Sequence, residues 1–190
     1  MRSLFSLLAA VVLAAAALPC PVRAAEYKVD PVHSSFIFKI KHFNTSFFYG
    51  RFNEASGTLN YDESKPEAAT IELSIKSASV DTNNKDRDKH VTSPDFFNAK
   101  EFPTITFKST KVTVTGTALE ITGDLTALGV TKPVTLKGEL TGKGKNMKGV
   151  EIIGGEGTVT FKRSEFGIKG TPAALADDVT LIISIEALKQ

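Results

Sequence analysis

The sequence has few of the side chains that build most catalytic and metal sites. Its 190 residues include one cysteine, three histidines and no tryptophan. A single cysteine, Cys20, excludes an intramolecular disulfide. His33, His42 and His90 form no HxH or HExxH motif, so no set of zinc ligands is visible, although His42 and His90 could meet in the folded chain. A serine–histidine–aspartate triad stays open because triads are assembled in space, but no GxSxG motif marks one.

The N-terminal segment has the layout of a secretory signal peptide. Arg2 precedes an uncharged, mostly apolar run over residues 4–18, and Val22-Arg23-Ala24 offers a site for signal peptidase. That run is shorter than the roughly 20 residues of a membrane-spanning helix, which disfavours the alternative of an uncleaved anchor. We therefore predict a signal peptide over residues 1–24, an exported domain over residues 25–190, and a mature chain without cysteine.

The predicted mature domain has no net formal charge. Loss of residues 1–24 removes two arginines and no acid, so the 23 lysines and arginines fall to 21 and equal the 21 aspartates and glutamates. A chain without excess positive charge is not suited to bind nucleic acid or an anionic membrane by bulk charge. We therefore expect no nucleic-acid partner.

Alternation of apolar and polar residues with a period of two dominates the domain. It occurs at residues 36–40, 71–75, 105–107, 119–125, 134–140, 159–161 and 179–185. Such alternation predicts strands with one buried and one solvated face. Turn-forming residues separate the runs, at 60–66, 115–116, 142–146 and 154–155. We count about eight strands and predict an all-β fold, an eight-stranded antiparallel barrel of the size that can hold one small ligand.

One polar segment, residues 82–99, interrupts the alternation. Asn83 and Asn84 can cap a helix and Ser93-Pro94 would end it, which predicts a short helical insert around residues 85–92. Phe96 and Phe97 follow as an apolar pair that can cover another apolar surface.

Aromatic residues are concentrated in one short segment. Phe43, Phe47, Phe48, Tyr49 and Phe52 fall within ten residues. Alternation places Phe48 and Phe52 on one face of a strand and Phe47 and Tyr49 on the other, so the strand is buried on both sides or faces a cavity. Ordinary core packing explains any one phenylalanine, whereas the group favours an apolar pocket, which would bind a long hydrocarbon strongly.

Two arginines have both a structural and a functional interpretation. Arg87 lies on the predicted insert, where a charged helix face is usually solvated, and Arg163 lies near the end of a strand. Alternatively, either guanidinium turns inward and holds a pyrophosphate, carbonyl or carboxylate at the mouth of a pocket.

The chain also resembles a known family in a series of short motifs that occur in order. They are DPVHS (30–34), GRF (50–52), SVDTN (79–83), RDKH (87–90), SPDFF (93–97), FP (102–103), GDLT (123–126), GVTKPV (129–134) and RSEFGI (163–168). Each motif is weak alone, but the ordered set spans nearly all of the domain and resembles the YceI-like family of bacterial periplasmic polyisoprenoid-binding proteins. Glu165 stands where that family usually has aspartate, and no tryptophan occurs near Met147, where relatives often carry one.

The resemblance implies a lipocalin-like barrel with a helical insert and an apolar pore that holds an isoprenoid chain, as in a polyprenyl phosphate or an isoprenoid quinone. It implies binding, transport or storage in the periplasm, with no catalytic step and no cofactor besides the bound lipid. The residues expected to line the lipid tail are Phe36, Phe38, Ile40, Phe48, Phe52, Ile75, Phe107, Leu125, Phe161 and Phe166. The polar residues expected near its head group are His42, Asn83, Arg87 and Arg163.

Two other functions stay open. A periplasmic enzyme acting on lipid head groups would use His42 or His90, and an interaction module would dock the barrel mouth on a membrane electron-transfer protein. Transient contact with a membrane is compatible with the carrier hypothesis. An exposed strand edge or a shared phenylalanine patch could also pair two barrels into a homodimer.

Overall fold

A computed structural model describes residues 24–190, so Cys20 and most of the predicted signal peptide lie outside the described residues. The strands are β1 (Ala25–Val29), β2 (Ser35–His42), β3 (Ser46–Phe52), β4 (Ala55–Tyr61), β5 (Thr70–Lys76), β6 (Val80–Asp81), β7 (Thr104–Thr115), β8 (Ala118–Ala127), β9 (Val130–Lys145), β10 (Glu151–Lys162) and β11 (Leu175–Lys189). The helix α1 (Lys85–Val91) lies between β6 and β7. Turns of 3₁₀ type occupy Pro66–Ala68, Ser77–Ser79 and Arg163–Phe166.

The sheet closes on itself to form a barrel. Antiparallel pairing runs in the order β1-β4-β5-β7-β8-β9-β10-β11, and β11 pairs back with β1, where Tyr27 lies opposite Lys189. Three of the eight positions are each formed by two consecutive segments separated by a short break. In this way β2 extends β1 along β11, β3 pairs with β2 and is extended by β4, and β6 extends β5 and pairs with β3. The eleven segments of residues 24–190 therefore fill eight strand positions, and the predicted eight-stranded antiparallel barrel is confirmed.

The break between β1 and β2 is held by hydrogen bonds of Asp30. Its carboxylate accepts from His33 Nδ1 at 2.7 Å and from the backbone N–H of Val32 at 2.8 Å, while its own N–H donates to the Glu186 carbonyl at 2.8 Å. The His33 contact, followed by the Val32 contact, lowers the pKa of Asp30, and the hydrogen bond to Asp30 raises the pKa of His33. These bonds hold the turn against β11, so that β1 before the turn and β2 after it both pair with β11.

The prediction of turns at residues 142–146 and 154–155 is wrong in detail. Gly142 lies within β9, and Gly154 and Gly155 lie within β10, where the pairing between the two strands shifts register. The connection itself is residues 146–150, closed by a hydrogen bond from the Asn146 N–H to the Val150 carbonyl at 2.9 Å. Glycines at such a bulge let a strand bend sharply, as the wall of a small barrel requires.

The helical insert covers one end of the barrel. Helix α1 begins after Asn84, whose side chain accepts from the Arg87 N–H at 2.9 Å, and ends one residue before the predicted limit. Thr82 joins it to β6, because Asp88 Oδ1 accepts hydrogen bonds from both the N–H and the hydroxyl of Thr82. Beyond the helix, Phe96 is buried and Phe97 packs edge-on against Phe52 at 5.5 Å. The predicted insert is confirmed.

The two ends of the barrel differ. The end that we call the insert end carries α1, the β2–β3 hairpin at residues 43–45 and the β10–β11 connection at residues 163–174. The opposite end carries the β4–β5 connection and the turns at residues 116–117 and 146–150. Within residues 24–190, no helix has the length and apolar composition needed to span a membrane.

Candidate functional site

The interior of the barrel contains a cavity of about 460 Å³ that extends between its two ends. This volume falls within the range of roughly 300–1,000 Å³ that is common for small-molecule sites. Its wall consists mainly of inward-facing strand residues, most of them aliphatic or aromatic. It extends from Tyr61 and Pro66 at the opposite end to His42 and Arg87 at the insert end. An apolar interior of this kind holds water poorly and is suited to a hydrocarbon guest.

The exposure of inward-facing residues shows that the barrel is hollow. Phe107, Leu136 and Leu181 line the cavity, yet each stays only half-buried in the structure. In a close-packed core such side chains would be fully buried by their neighbours. Other residues of the wall are buried, such as Phe36 and Leu125 toward the insert end and Ile153 at the opposite end.

Two phenylalanine rings lie against the barrel wall because glycines face them. Phe38 pairs with Gly50 across β2 and β3, and a Cβ added to Gly50 would overlap the Phe38 ring. In the same way, a Cβ at Gly123 would stand 2.5 Å from Phe107 Cζ. Glycine removes the side chain that would push each ring inward. These large rings therefore cover the wall and leave the space along the barrel axis open.

Nine of the ten residues expected to line a lipid tail face this cavity. They are Phe36, Phe38, Ile40, Phe48, Phe52, Ile75, Phe107, Leu125 and Phe161. Phe166 is absent from the wall: it is fully buried in the 3₁₀ turn after β10 and packs edge-on against Phe161 with ring centroids 5.1 Å apart. The strand alternation that places Phe161 inward stops at this turn, so Phe166 supports the wall from behind.

Arg163 faces the cavity but its guanidinium is committed to the backbone. Nη1 donates to the carbonyls of Ile168 at 3.0 Å and Gly170 at 2.8 Å, Nε donates to Ala176 at 2.9 Å, and Nη2 donates to Leu175 at 3.3 Å. The side chain is 5% exposed, and burial lowers its pKa. These bonds hold the β10–β11 connection in place. That Arg163 also meets a head group stays a prediction.

Asn83 also lies away from the cavity. It occupies the turn before α1 with a left-handed backbone (φ 59°), its side chain is exposed, and its N–H donates to Asp81 Oδ1 at 2.8 Å. Asparagine tolerates this conformation better than most residues. The turn explains its presence in the sequence motif, and its contact with a head group stays a prediction.

Arg87 and His42 are the two predicted head-group residues that the structure brings to the cavity opening. Both line the cavity and are also exposed to solvent, so the cavity reaches the surface between them. The Arg87 guanidinium lies over the Phe48 ring, with Cζ 4.4 Å from its centroid. Its Nε and Nη2 donate to the hydroxyl and carbonyl of Thr82 at 3.0 and 2.6 Å. A cation held in this way can bind phosphate or carbonyl oxygens of a guest.

His90 lies at the same opening, and the sequence suggests it only as a catalytic or metal-binding residue. Its Nε2 lies 3.1 Å from Asp95 Oδ2, and its ring packs edge-on against Phe96. Among residues 24–190, the side chains close enough to share a metal ion are Asp30, His33 and Glu186, on the wall where β1 meets β2. That group includes neither histidine of the opening.

Comparison with known proteins identifies the family. A family model described as the YceI-like domain matches residues 27–187. A UPF0312 protein of Pseudomonas aeruginosa is 44% identical over 169 residues, which cover 88% of each chain.

Solved structures agree with the fold. A Campylobacter jejuni YCEI protein, 35% identical, matches with a TM-score of 0.68 over 74% of this chain and 84% of its own. A polyisoprenoid binding domain from Saccharophagus degradans, implicated in plant cell wall breakdown, is 14% identical and matches in fold with a TM-score of 0.64 over 88% of this chain and all of its own. The resemblance found in the ordered motifs is thus confirmed: the chain belongs to the YceI-like family.

Proposed function

We propose that this protein binds a long-chain isoprenoid lipid in the barrel cavity and carries or stores it in the periplasm. The observation that supports the proposal most directly is the hollow, apolar interior, which opens to solvent beside Arg87 and His42. The family match, and the description of a structural neighbour as a polyisoprenoid binding domain, support the same class of ligand. The signal-peptide pattern of residues 1–24 supports the periplasmic location, which cell fractionation tests directly.

Burial of the lipid tail would supply most of the binding free energy. Each methylene moved from water into an apolar environment contributes about 0.8 kcal/mol, so a five-carbon isoprene unit contributes roughly 4 kcal/mol before ordering costs are subtracted. Phenylalanine rings that lie flat on the wall offer a smooth surface to a branched chain. The distance between the two ends of the barrel would limit the length of lipid tail that the cavity can bury, and would thereby set the selectivity for tail length.

The head group would lie at the insert end. Arg87 keeps one guanidinium nitrogen, Nη1, without a hydrogen bond to any residue from 24 to 190, while Thr82 fixes the other two. His42 stands exposed on the rim of the same opening. Phosphate oxygens of a polyprenyl phosphate or carbonyl oxygens of an isoprenoid quinone both suit this arrangement, because each can accept from Arg87.

The experiment is native mass spectrometry and solvent extraction of the protein after production in bacteria. We expect a bound isoprenoid that remains through purification. Leu181→Gln places an amide against the tail and should lower lipid occupancy by about tenfold or more. Thr180→Gln is the matched control. Thr180 precedes Leu181 on β11 and lies on the outer face, where its hydroxyl contacts that of Thr160. Well-folded protein that carries no apolar molecule would contradict the proposal.

An enzymatic role remains a second candidate only because His90 and Asp95 form a close pair at the opening. The variants His42→Ala and His90→Ala separate the two functions. A carrier keeps its lipid unaltered in both variants, whereas an enzyme that modifies the head group accumulates an unprocessed form.

A further inference from the structure

The outer face of the β2–β3 hairpin exposes three aromatic side chains next to the cavity opening. Phe43 is 60% exposed, Phe47 55% and Tyr49 53%. The alternation that turns Phe48 toward the cavity turns Phe47 and Tyr49 outward, and Phe43 stands at the hairpin turn. We call these three residues the aromatic tip. Exposed aromatic groups in one cluster commonly mark a contact surface.

Cations surround the aromatic tip and acids are absent from its chain segment. Residues 31–53 contain no aspartate or glutamate. Lys41 lies opposite Phe47, and Lys39 lies opposite Tyr49 with its Nζ 4.7 Å from the centroid of the Phe47 ring. Arg51 continues the same outer face and lies opposite Asp81 of β6. The face therefore alternates aromatic and basic side chains, although the predicted mature domain is neutral as a whole.

The backbone at Phe43 is strained. Phe43 and Asn44 both adopt left-handed conformations, with φ of 46° and 53°, and the Thr45 N–H donates to the His42 carbonyl at 3.0 Å. Asparagine accepts this conformation readily, whereas a bulky residue rarely does. Phe43 remains mostly exposed and contacts the His42 ring, so core packing does not account for it. A strained, exposed aromatic residue indicates a functional requirement for its side chain.

We propose that the aromatic tip docks this protein on the surface of an anionic lipid bilayer, with the insert end of the cavity turned toward the lipid. Aromatic rings partition to the boundary between head groups and acyl chains, and adjacent lysines are attracted by anionic head groups. A second copy of the chain fits less well, because a two-fold interface on this hairpin would set Lys39 and Lys41 against the same lysines of the other copy. The inference rests on the proposed lipid binding, since docking would bring the opening to the source or destination of the lipid.

The absence of tryptophan from the sequence makes a direct test available. Phe47→Trp introduces one fluorophore at the tip, and Met147→Trp introduces the same fluorophore at the exposed turn of the opposite end. With vesicles of phosphatidylethanolamine and phosphatidylglycerol, we expect a blue shift and quenching by brominated acyl chains for the first variant alone. Vesicles of phosphatidylcholine should give a much weaker response, because the lysines then lack a partner.

Substitutions at the tip separate the contributions of its lysines and of its aromatic rings to vesicle binding. Lys39→Gln with Lys41→Gln should weaken binding to the anionic vesicles by about thirtyfold, since each lysine near such a surface contributes about 1 kcal/mol. Phe43→Asn combined with Tyr49→Ser should reduce it further while leaving the hairpin intact, because asparagine suits the backbone at position 43. Met147→Ser, which removes a still more exposed apolar residue at the opposite end, should leave vesicle binding unchanged.

Three outcomes distinguish docking from lipid carriage. If the fluorescence of Phe47→Trp does not change with anionic vesicles while the protein yields an extractable isoprenoid, docking is overturned and the proposed function is not. Vesicle binding by protein that yields no isoprenoid supports docking and contradicts the proposed function. A blue-shifted emission of Phe47→Trp without vesicles, together with a dimer in sedimentation, means that a second copy covers the tip and overturns the membrane as its partner.

Discussion

Substitution of Gly50 by alanine tests whether the open cavity depends on rings that lie against the wall. The added methyl group would overlap the Phe38 ring and meets no other residue as closely, and the backbone at Gly50 has no positive φ. Phe38 must therefore swing toward the barrel axis. A ring in that position excludes about three methylenes of a bound chain, so affinity should fall by about 2.4 kcal/mol, or roughly fiftyfold.

The assay is displacement of the fluorescent apolar probe N-phenyl-1-naphthylamine, together with quantification of lipid extracted from the purified protein. Gly144→Ala is the matched control, since its new methyl group would make only an ordinary contact with Ile152 at 3.8 Å. The double variant Gly50→Ala with Phe38→Ala removes the displaced ring and should recover most of the binding. If Gly50→Ala folds normally and binds probe and lipid as the original protein does, the reasoning that relates ring position to the open cavity is refuted.

Three further changes have expected outcomes. Arg163→Met leaves four backbone carbonyls without their donor and should lower the free energy of unfolding by about 3–5 kcal/mol, measured by urea denaturation. An unchanged midpoint would show that the β10–β11 connection is stable without the Arg163 hydrogen bonds. Arg87→Ala should weaken binding of a polyprenyl phosphate more than binding of the matching polyprenol, measured by competition with the probe, and equal losses would argue against a head-group contact. The raised pKa of His33 means that its contact with Asp30 stabilises the fold fully below the usual value of 6.5 and loses this effect as pH rises through the raised value. The lowered pKa of Asp30 means that the same contact is lost as pH falls below the usual 3.8 and through the lowered value. The thermal midpoint of His33→Gln should therefore lie below that of the original protein at pH 5.5 and approach it at pH 9, and a constant difference would contradict this account.

The sequence by itself determined the barrel walls and the insert. Alternation of small and large apolar residues with threonine and lysine allows a strand only one buried face, so the inward direction of Phe36, Phe107 and Leu125 could be predicted from local pattern alone. Asn84 and Ser93-Pro94 likewise delimit α1 through local backbone chemistry. These features depend on neighbours in the sequence, and for that reason they are readable from it.

Only the tertiary structure decided that the barrel closes between β1 and β11 and that it is hollow. Alternation predicts which face of a strand is apolar, but it does not predict whether the rings cross the interior or lie on the wall. The position of the Phe38 ring, for example, depends on Gly50, which lies on the neighbouring strand. The role of Arg163 was hidden for a related reason: its partners are backbone carbonyls, which carry no side-chain signature. Contacts between positions brought together by folding thus decide what space remains inside, and local sequence cannot specify them.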